Sequence, residues 1–137
     1  MTAQEPALTD DHLRSGGTVL PITRWGTPVM HVQTRPVTAF DDDLRALVRD
    51  MFATRYAAEG VGLAATQVGR DLSVFVYDCP DENHIHRVGV VCNPVVTLPE
   101  GKDRKLDAAD EGCLSFPGAY IELARPDVAV CVGQDAF

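Results

Sequence analysis

The sequence predicts an α+β fold, with one N-terminal helix followed by antiparallel strands. Two observations carry this reading. The clearest helical period of apolar residues lies early, over 41–59. After it come several short β-branched and aromatic runs, punctuated by Gly, Pro, Asp and Asn. One early helix and a succession of strands is the order of an α+β antiparallel design.

Taken in order, residues 1–17 mix Asp, Glu, Thr, Ser and Gly without an apolar period, and we expect a flexible leader there. A single domain is expected over 18–137, and a chain of 137 residues leaves no room for a second. Order is expected from Val19-Leu20-Pro21-Ile22, then a turn at Trp25-Gly26-Thr27-Pro28. In the helix, Leu44, Leu47, Val48, Met51, Phe52 and Tyr56 form one stripe. Asp41, Asp42 and Asp43 crowd its first turn, where the helix dipole favours negative charge. Gly60 stands where a helix commonly ends in the left-handed conformation.

Strands are expected at Leu72–Tyr77 and Val88–Val91, with a break at Asn93-Pro94 before Val95–Leu98. Asp78–Asn83 should be a turn and Pro99–Ala109 a charged loop. Two more strands are expected at Ala119–Leu123 and Asp127–Val132, separated by Arg125-Pro126. Val74, Val76, Val90, Val95, Ile121, Val128 and Val130 give these strands apolar faces that need a partner.

Composition excludes several classes. The formal net charge is −8 and the isoelectric point near 4.8, which argues against nucleic acid and anionic membranes as direct partners. No apolar run is long enough to span a bilayer, and the N-terminus lacks the basic and apolar regions of a secretory signal. The four cysteines, Cys79, Cys92, Cys113 and Cys131, show no CxxC spacing. Reduced thiols and a cytoplasmic location are the expectation.

Two stretches carry chemistry. Gly60-Val61-Gly62-Leu63-Ala64-Ala65-Thr66-Gln67-Val68-Gly69 is a small-residue turn containing an amide side chain. Glu111-Gly112-Cys113-Leu114-Ser115-Phe116-Pro117-Gly118 sets a thiol on a bend. Gly112 beside that thiol allows close approach of another backbone or a ligand. Taken singly, the cysteine could be a buried strand-end residue and the glutamine a solvated one.

Together and in this order, the two stretches resemble the first two signature motifs of the peptide deformylases. These metallohydrolases remove the formyl group from the N-terminal methionine of new proteins. The resemblance implies a peptide-deformylase-like α+β fold built around a metal-binding helix, with formyl-methionyl N-termini of nascent chains as partners. It implies that Cys113 is a metal ligand beside two histidines of an H-E-x-x-H motif, whose glutamate moves the proton. It implies that Gln67 and the backbone N–H of Leu114 stabilise the oxyanion. Val61, Gly62 and Gly112 would border the substrate groove, and Glu111 would hold its loop. The implied ion is a divalent metal, Fe2+ or alternatively Zn2+.

The H-E-x-x-H motif is absent from the sequence, and no histidine follows Cys113. The chain therefore carries one of three expected protein ligands, matches an incomplete, truncated form of the family's domain, and is expected to be inactive alone. His84 and His86 share a face of an extended segment and could join Cys113 in a substitute site, though two solvated histidines is the simpler reading. The alternative function is a non-catalytic remnant that binds a peptide or a partner. A cysteine hydrolase using Cys113 as nucleophile would need a coupled histidine, and the sequence shows none.

Overall fold

The computed structural model describes residues 16–137. The expected leader, 1–17, lies outside the described residues except for Gly16 and Gly17. Gly17 is packed on the helix: with φ at +78°, a Cβ there would fall 2.5 Å from the carbonyl oxygen of Arg49.

The helix, α1, spans Asp42–Ala57. Asp41 caps it, its carboxylate accepting the Leu44 N–H at 3.0 Å. Leu44, Leu47, Val48, Met51 and Phe52 are buried as expected. Tyr56 is not, being 68% exposed, and Arg55 is buried in its stead. The period explains the exchange. At about 100° per residue, Tyr56 stands some 120° round from Leu44, whereas Arg55 stands about 20° from it. The left-handed residue after the helix is Glu59, at φ +57°, and not Gly60. The Arg55 guanidinium donates to the Gly60 carbonyl.

Six strands follow: β1 (Gly62–Ala64), β2 (Val74–Pro80), β3 (His86–Thr97), β4 (Leu106–Cys113), β5 (Phe116–Pro126) and β6 (Val130–Gln134). A four-stranded antiparallel sheet runs β1-β2-β3-β6, and β4 and β5 form a separate hairpin. Several strands outrun their expected bounds. β2 continues through Asp78-Cys79-Pro80, and β4 begins inside the expected charged loop. Asn93-Pro94 does not end a strand. It makes a register shift within β3, with Asn93 at φ +54°. β5 extends to Arg125-Pro126 and ends there, and the next strand, β6, starts at Val130 instead of Asp127.

The core lies between α1 and the sheet. Val74, Val76 and Asp78 alternate onto one face of β2, and Val76 pairs with Val90, Val74 with Cys92. These valines and Cys92 join Val48, Met51, Phe52 and Leu63 in one cluster. Burial raises the Cys92 thiol pKa, and the nearby Asp135 charge raises it further. Val74, Val76 and Val90 therefore find their partner in α1. Val95, Ile121, Val128 and Val130 do not, and all are more than half exposed.

Two outcomes are expected. Asp41→Ala should lower stability to urea by about 1 kcal/mol, through loss of the cap. The 137-residue chain should associate as concentration rises, through its exposed strands. Sedimentation velocity checks this, and Ile121→Lys with Val130→Lys should suppress the association. A monomer at every concentration would contradict the reading of those faces.

Candidate active site

The first motif folds into a turn held from three sides. β1 pairs with β2 in the register Leu63↔Val76, which buries Leu63. A 3-10 turn, Ala65–Val68, follows, and Gly69 ends it in the left-handed conformation at φ +82°. The Gln67 side chain folds back on the start of its own turn. Its Oε1 accepts the Ala64 N–H at 3.1 Å. An N–H can only donate, so this bond settles which end of the amide is oxygen. Nε2 is thereby turned outward, 3.2 Å from Ser115 Oγ and 3.8 Å from Cys113 Sγ.

The second motif is the tip of the β4–β5 hairpin. Cys113 pairs with Phe116, so Leu114 and Ser115 make a two-residue turn. The pairing then jumps from Phe116 to Tyr120, leaving Pro117–Ala119 as a bulge in which Gly118 has φ +81°. Cys113 is an exposed free thiol, and Cys79, Cys92 and Cys131 are free as well. The space beside Gly112 is filled by the Tyr120 ring, since a Cβ on Gly112 would lie 2.6 Å from Tyr120 Cε1.

A segment to which the sequence pattern assigns little role joins the two turns. Thr23 N–H donates to the Gln67 carbonyl at 2.8 Å, and its hydroxyl to the Thr66 carbonyl at 2.9 Å. Trp25 N–H donates to the Ser115 carbonyl at 2.8 Å. The Trp25 ring meets Phe116 edge to face, with centroids 6.3 Å apart. No periodicity marks such a strap, because its bonds run largely through backbone atoms that every residue has.

Val61, Gly62, Gln67, Gly112, Cys113 and Leu114 all line one cleft of about 410 Å³. Phe116, Pro117 and Tyr120 add apolar wall. Val61 stands at the rim, 67% exposed. Gly60 is pressed against Leu114, where a Cβ would fall 2.6 Å from Leu114 Cδ1.

Beneath this loop lies a buried ion pair that the sequence pattern did not predict. The inward row of β2 ends in Asp78, and the inward stripe of α1 ends in Arg55. Their side chains, 7% and 8% exposed, meet at 3.4 Å. Asp78 N–H also donates to the Val61 carbonyl at 2.9 Å. His86 is exposed but does not lie in a loop: it opens β3 and sits 2.7 Å from the other Asp78 carboxylate oxygen. The visible signal was an Arg placed by angle on an apolar helical stripe.

Among the described residues no three His, Cys, Asp or Glu side chains converge as a metal site, so the expected ligand Cys113 stands without the two further donors such a site needs. His86 is engaged with Asp78, His84 lies in the turn before β3 at φ +60°, and His31 accepts the Gly26 N–H at 3.0 Å. His12 lies outside the described residues. The substitute Cys-His-His site is therefore not formed by His84 and His86. These residues do not by themselves fit a bound ion.

The fold and cleft define a class: α+β domains whose site lies where a glycine-rich turn after a helix meets the tip of a β-hairpin. The chain belongs to the polypeptide deformylase family, whose sequence model matches residues 19–137. It is 56% identical over 123 residues to peptide deformylase 1 of Streptomyces avermitilis, covering 89% of this chain and 56% of that protein. It is 47% identical over 117 residues to peptide deformylase 2 of Streptomyces coelicolor, covering 85% of this chain and 64% of that one. The chain thus spans little more than half to about two-thirds of the length of these relatives. Among solved structures it is similar to the peptide deformylase of Thermus thermophilus, with a TM-score of 0.74 at 40% identity over 87% of this chain and 67% of that one. A Synechococcus elongatus peptide deformylase in complex with actinonin gives a TM-score of 0.74 at 34% identity, over 85% and 62% of the two chains.

Glu111, at the base of the hairpin tip, accepts a hydrogen bond from Arg125 Nε on β5. That bond first, and the Arg125 charge after it, hold the Glu111 carboxyl below its ordinary range. The brace is therefore in place above the ordinary glutamate pKa and is lost as pH falls through the depressed one. Arg125→Gln should move the Glu111 titration upward, read from its side-chain carboxyl NMR signal. An unmoved titration would show the brace is not what sets it.

Proposed function

We propose that this chain carries the substrate-binding and oxyanion-stabilising part of a peptide deformylase site. Its substrate would be the formyl-methionyl N-terminus of a newly made protein. One observation carries the reading: the Gln67 amide, the Cys113 thiol and Leu114 share one cleft with Val61, Gly62 and Gly112. In this reading Gln67 Nε2–H and Leu114 N–H donate to the oxygen of the formyl carbon as it becomes an oxyanion. A preorganised donor of this kind is worth about 3–4 kcal/mol of barrier. Val61, Gly62 and Gly112 border the groove for the peptide, and the apolar wall suits a methionine side chain. A cytoplasmic setting follows from such a substrate.

Peptide deformylases are metal-dependent hydrolases, and Cys113 is the ligand this chain would offer. Fe2+ or Zn2+ is the proposed ion, and the described residues bring that one thiol donor to it. The same observation favours a second reading for these 137 residues taken alone, in which they bind a peptide without turning it over.

Metal content and deformylation of a formyl-methionyl peptide test what the chain does alone. The 137-residue chain is expected to bind less than one equivalent of iron or zinc by elemental analysis, and to release no formate above background. Chelator-sensitive turnover, or one equivalent of metal lost in Cys113→Ala, would overturn that expectation. In any form of the protein that does turn over, Gln67→Ala should lower kcat by about two to three orders of magnitude. Unchanged kcat would remove Gln67 from the proposed chemistry.

A further inference from the structure

We propose that Ser115 is the positioning residue for the Gln67 amide. It would hold one Nε2 hydrogen so that the other is aimed into the cleft beside Cys113. The proposal rests on the reading of Gln67 as a donor only for its consequence in catalysis; the geometry stands apart from it.

A glutamine side chain has an acceptor oxygen and two amide hydrogens. Gln67 Oε1 is engaged by the Ala64 N–H at 3.1 Å. With that single bond alone, the amide could still librate about it. Ser115 removes this freedom. Its Oγ lies 3.2 Å from Nε2, and the residue is 1% exposed, so water does not compete for it. Nor is the serine itself loose. Its carbonyl accepts the Trp25 N–H at 2.8 Å, and its hydroxyl faces Met30 Sδ at 4.0 Å. The thioether is a weak acceptor with no hydrogen to offer, so the hydroxyl proton turns to sulfur and the oxygen lone pairs turn to Gln67. Thr23 Oγ1 packs against that sulfur at 3.2 Å, its one hydrogen being given to the Thr66 carbonyl.

The two hydrogens of a planar amide diverge by about 120°, so fixing one direction fixes the other. With one hydrogen on Ser115, the second points along the Cys113 edge of the cleft, where Sγ lies 3.8 Å from Nε2. Ser115 stands behind the cleft wall in this arrangement and acts through Gln67.

The test is the side-chain amide signal of Gln67 in dilute, isotopically labelled 137-residue protein. In the native chain this amide should exchange with solvent more slowly than that of a solvated glutamine, because one hydrogen is held on the buried Ser115 hydroxyl. Ser115→Ala should collapse this signature to that of a solvated glutamine, while the methyl signals of Val48, Met51 and Val76 stay in place. Ser115→Thr, which keeps the hydroxyl, should retain it. If Ser115→Ala does not fold, Ser115→Cys, whose slightly larger sulfur is only a weak acceptor, should show the same loss. An unaltered Gln67 signal in either variant, with the core methyls unmoved, would overturn the proposal. So would a native Gln67 amide that already exchanges as a solvated one does. The turnover of Gln67→Ala tests the donor role separately, so either idea can fail without the other.

Discussion

The site depends on a strap of backbone, residues 18–25, that is tied at both ends. At one end Thr18 N–H and Leu20 N–H donate to the side chains of Asp50 and Thr54 on α1, at 2.7 and 2.9 Å. At the other, Thr23 and Trp25 donate to the carbonyls of Gln67 and Ser115. The two chemically important turns lie far apart in sequence and belong to separate sheets. Neither sheet extends its ladder to the other. The strap bridges them with main-chain bonds, whose directions are fixed by peptide planarity more firmly than those of long side chains.

A second constraint acts from below. The inward row of a strand and the inward stripe of a helix both end in a charge at the place where they meet. Arg55 and Asp78 are too deeply buried to be left singly, so each requires the other. Arg55 also takes the Gly60 carbonyl and Asp78 the Val61 carbonyl, the one by its guanidinium and the other by its N–H. The ion pair thus sets the height of the loop that forms one wall of the cleft. Gly60 then meets Leu114 across it with no room for a Cβ.

Much of this was legible in residue order. The helix was visible because Leu44, Leu47, Val48, Met51 and Phe52 recur at one period, and all of them are buried. β2 and β3 were visible because β-branched residues alternate onto the face that α1 covers. The cleft residues were visible because small residues and a turn surround the amide and the thiol. What stayed hidden is of a different physical kind. Arg55 belongs by angle to the buried stripe but by chemistry to the surface, and only its contact with Asp78 reconciles the two. Ser115 sits in a turn, where serine ordinarily faces water. Asn93-Pro94 suggested a strand break, yet pairing continues past it because the bulge absorbs the missing proline N–H.

That bulge has a chemical consequence as well. The Asn93 amide joins three segments: it accepts the Val37 N–H at 2.7 Å, donates to the Val37 carbonyl at 2.9 Å, and donates to Gln134 Oε1 at 2.8 Å. Asparagine ages by deamidation when the nitrogen of the next residue attacks its side-chain carbonyl and closes a succinimide ring. Conversion to aspartate here would remove the amide donor from this junction and set a charge against a carbonyl. The next residue is Pro94, whose nitrogen carries no hydrogen to lose. The junction on which three stretches of chain converge is therefore shielded from the slow reaction most able to undo it.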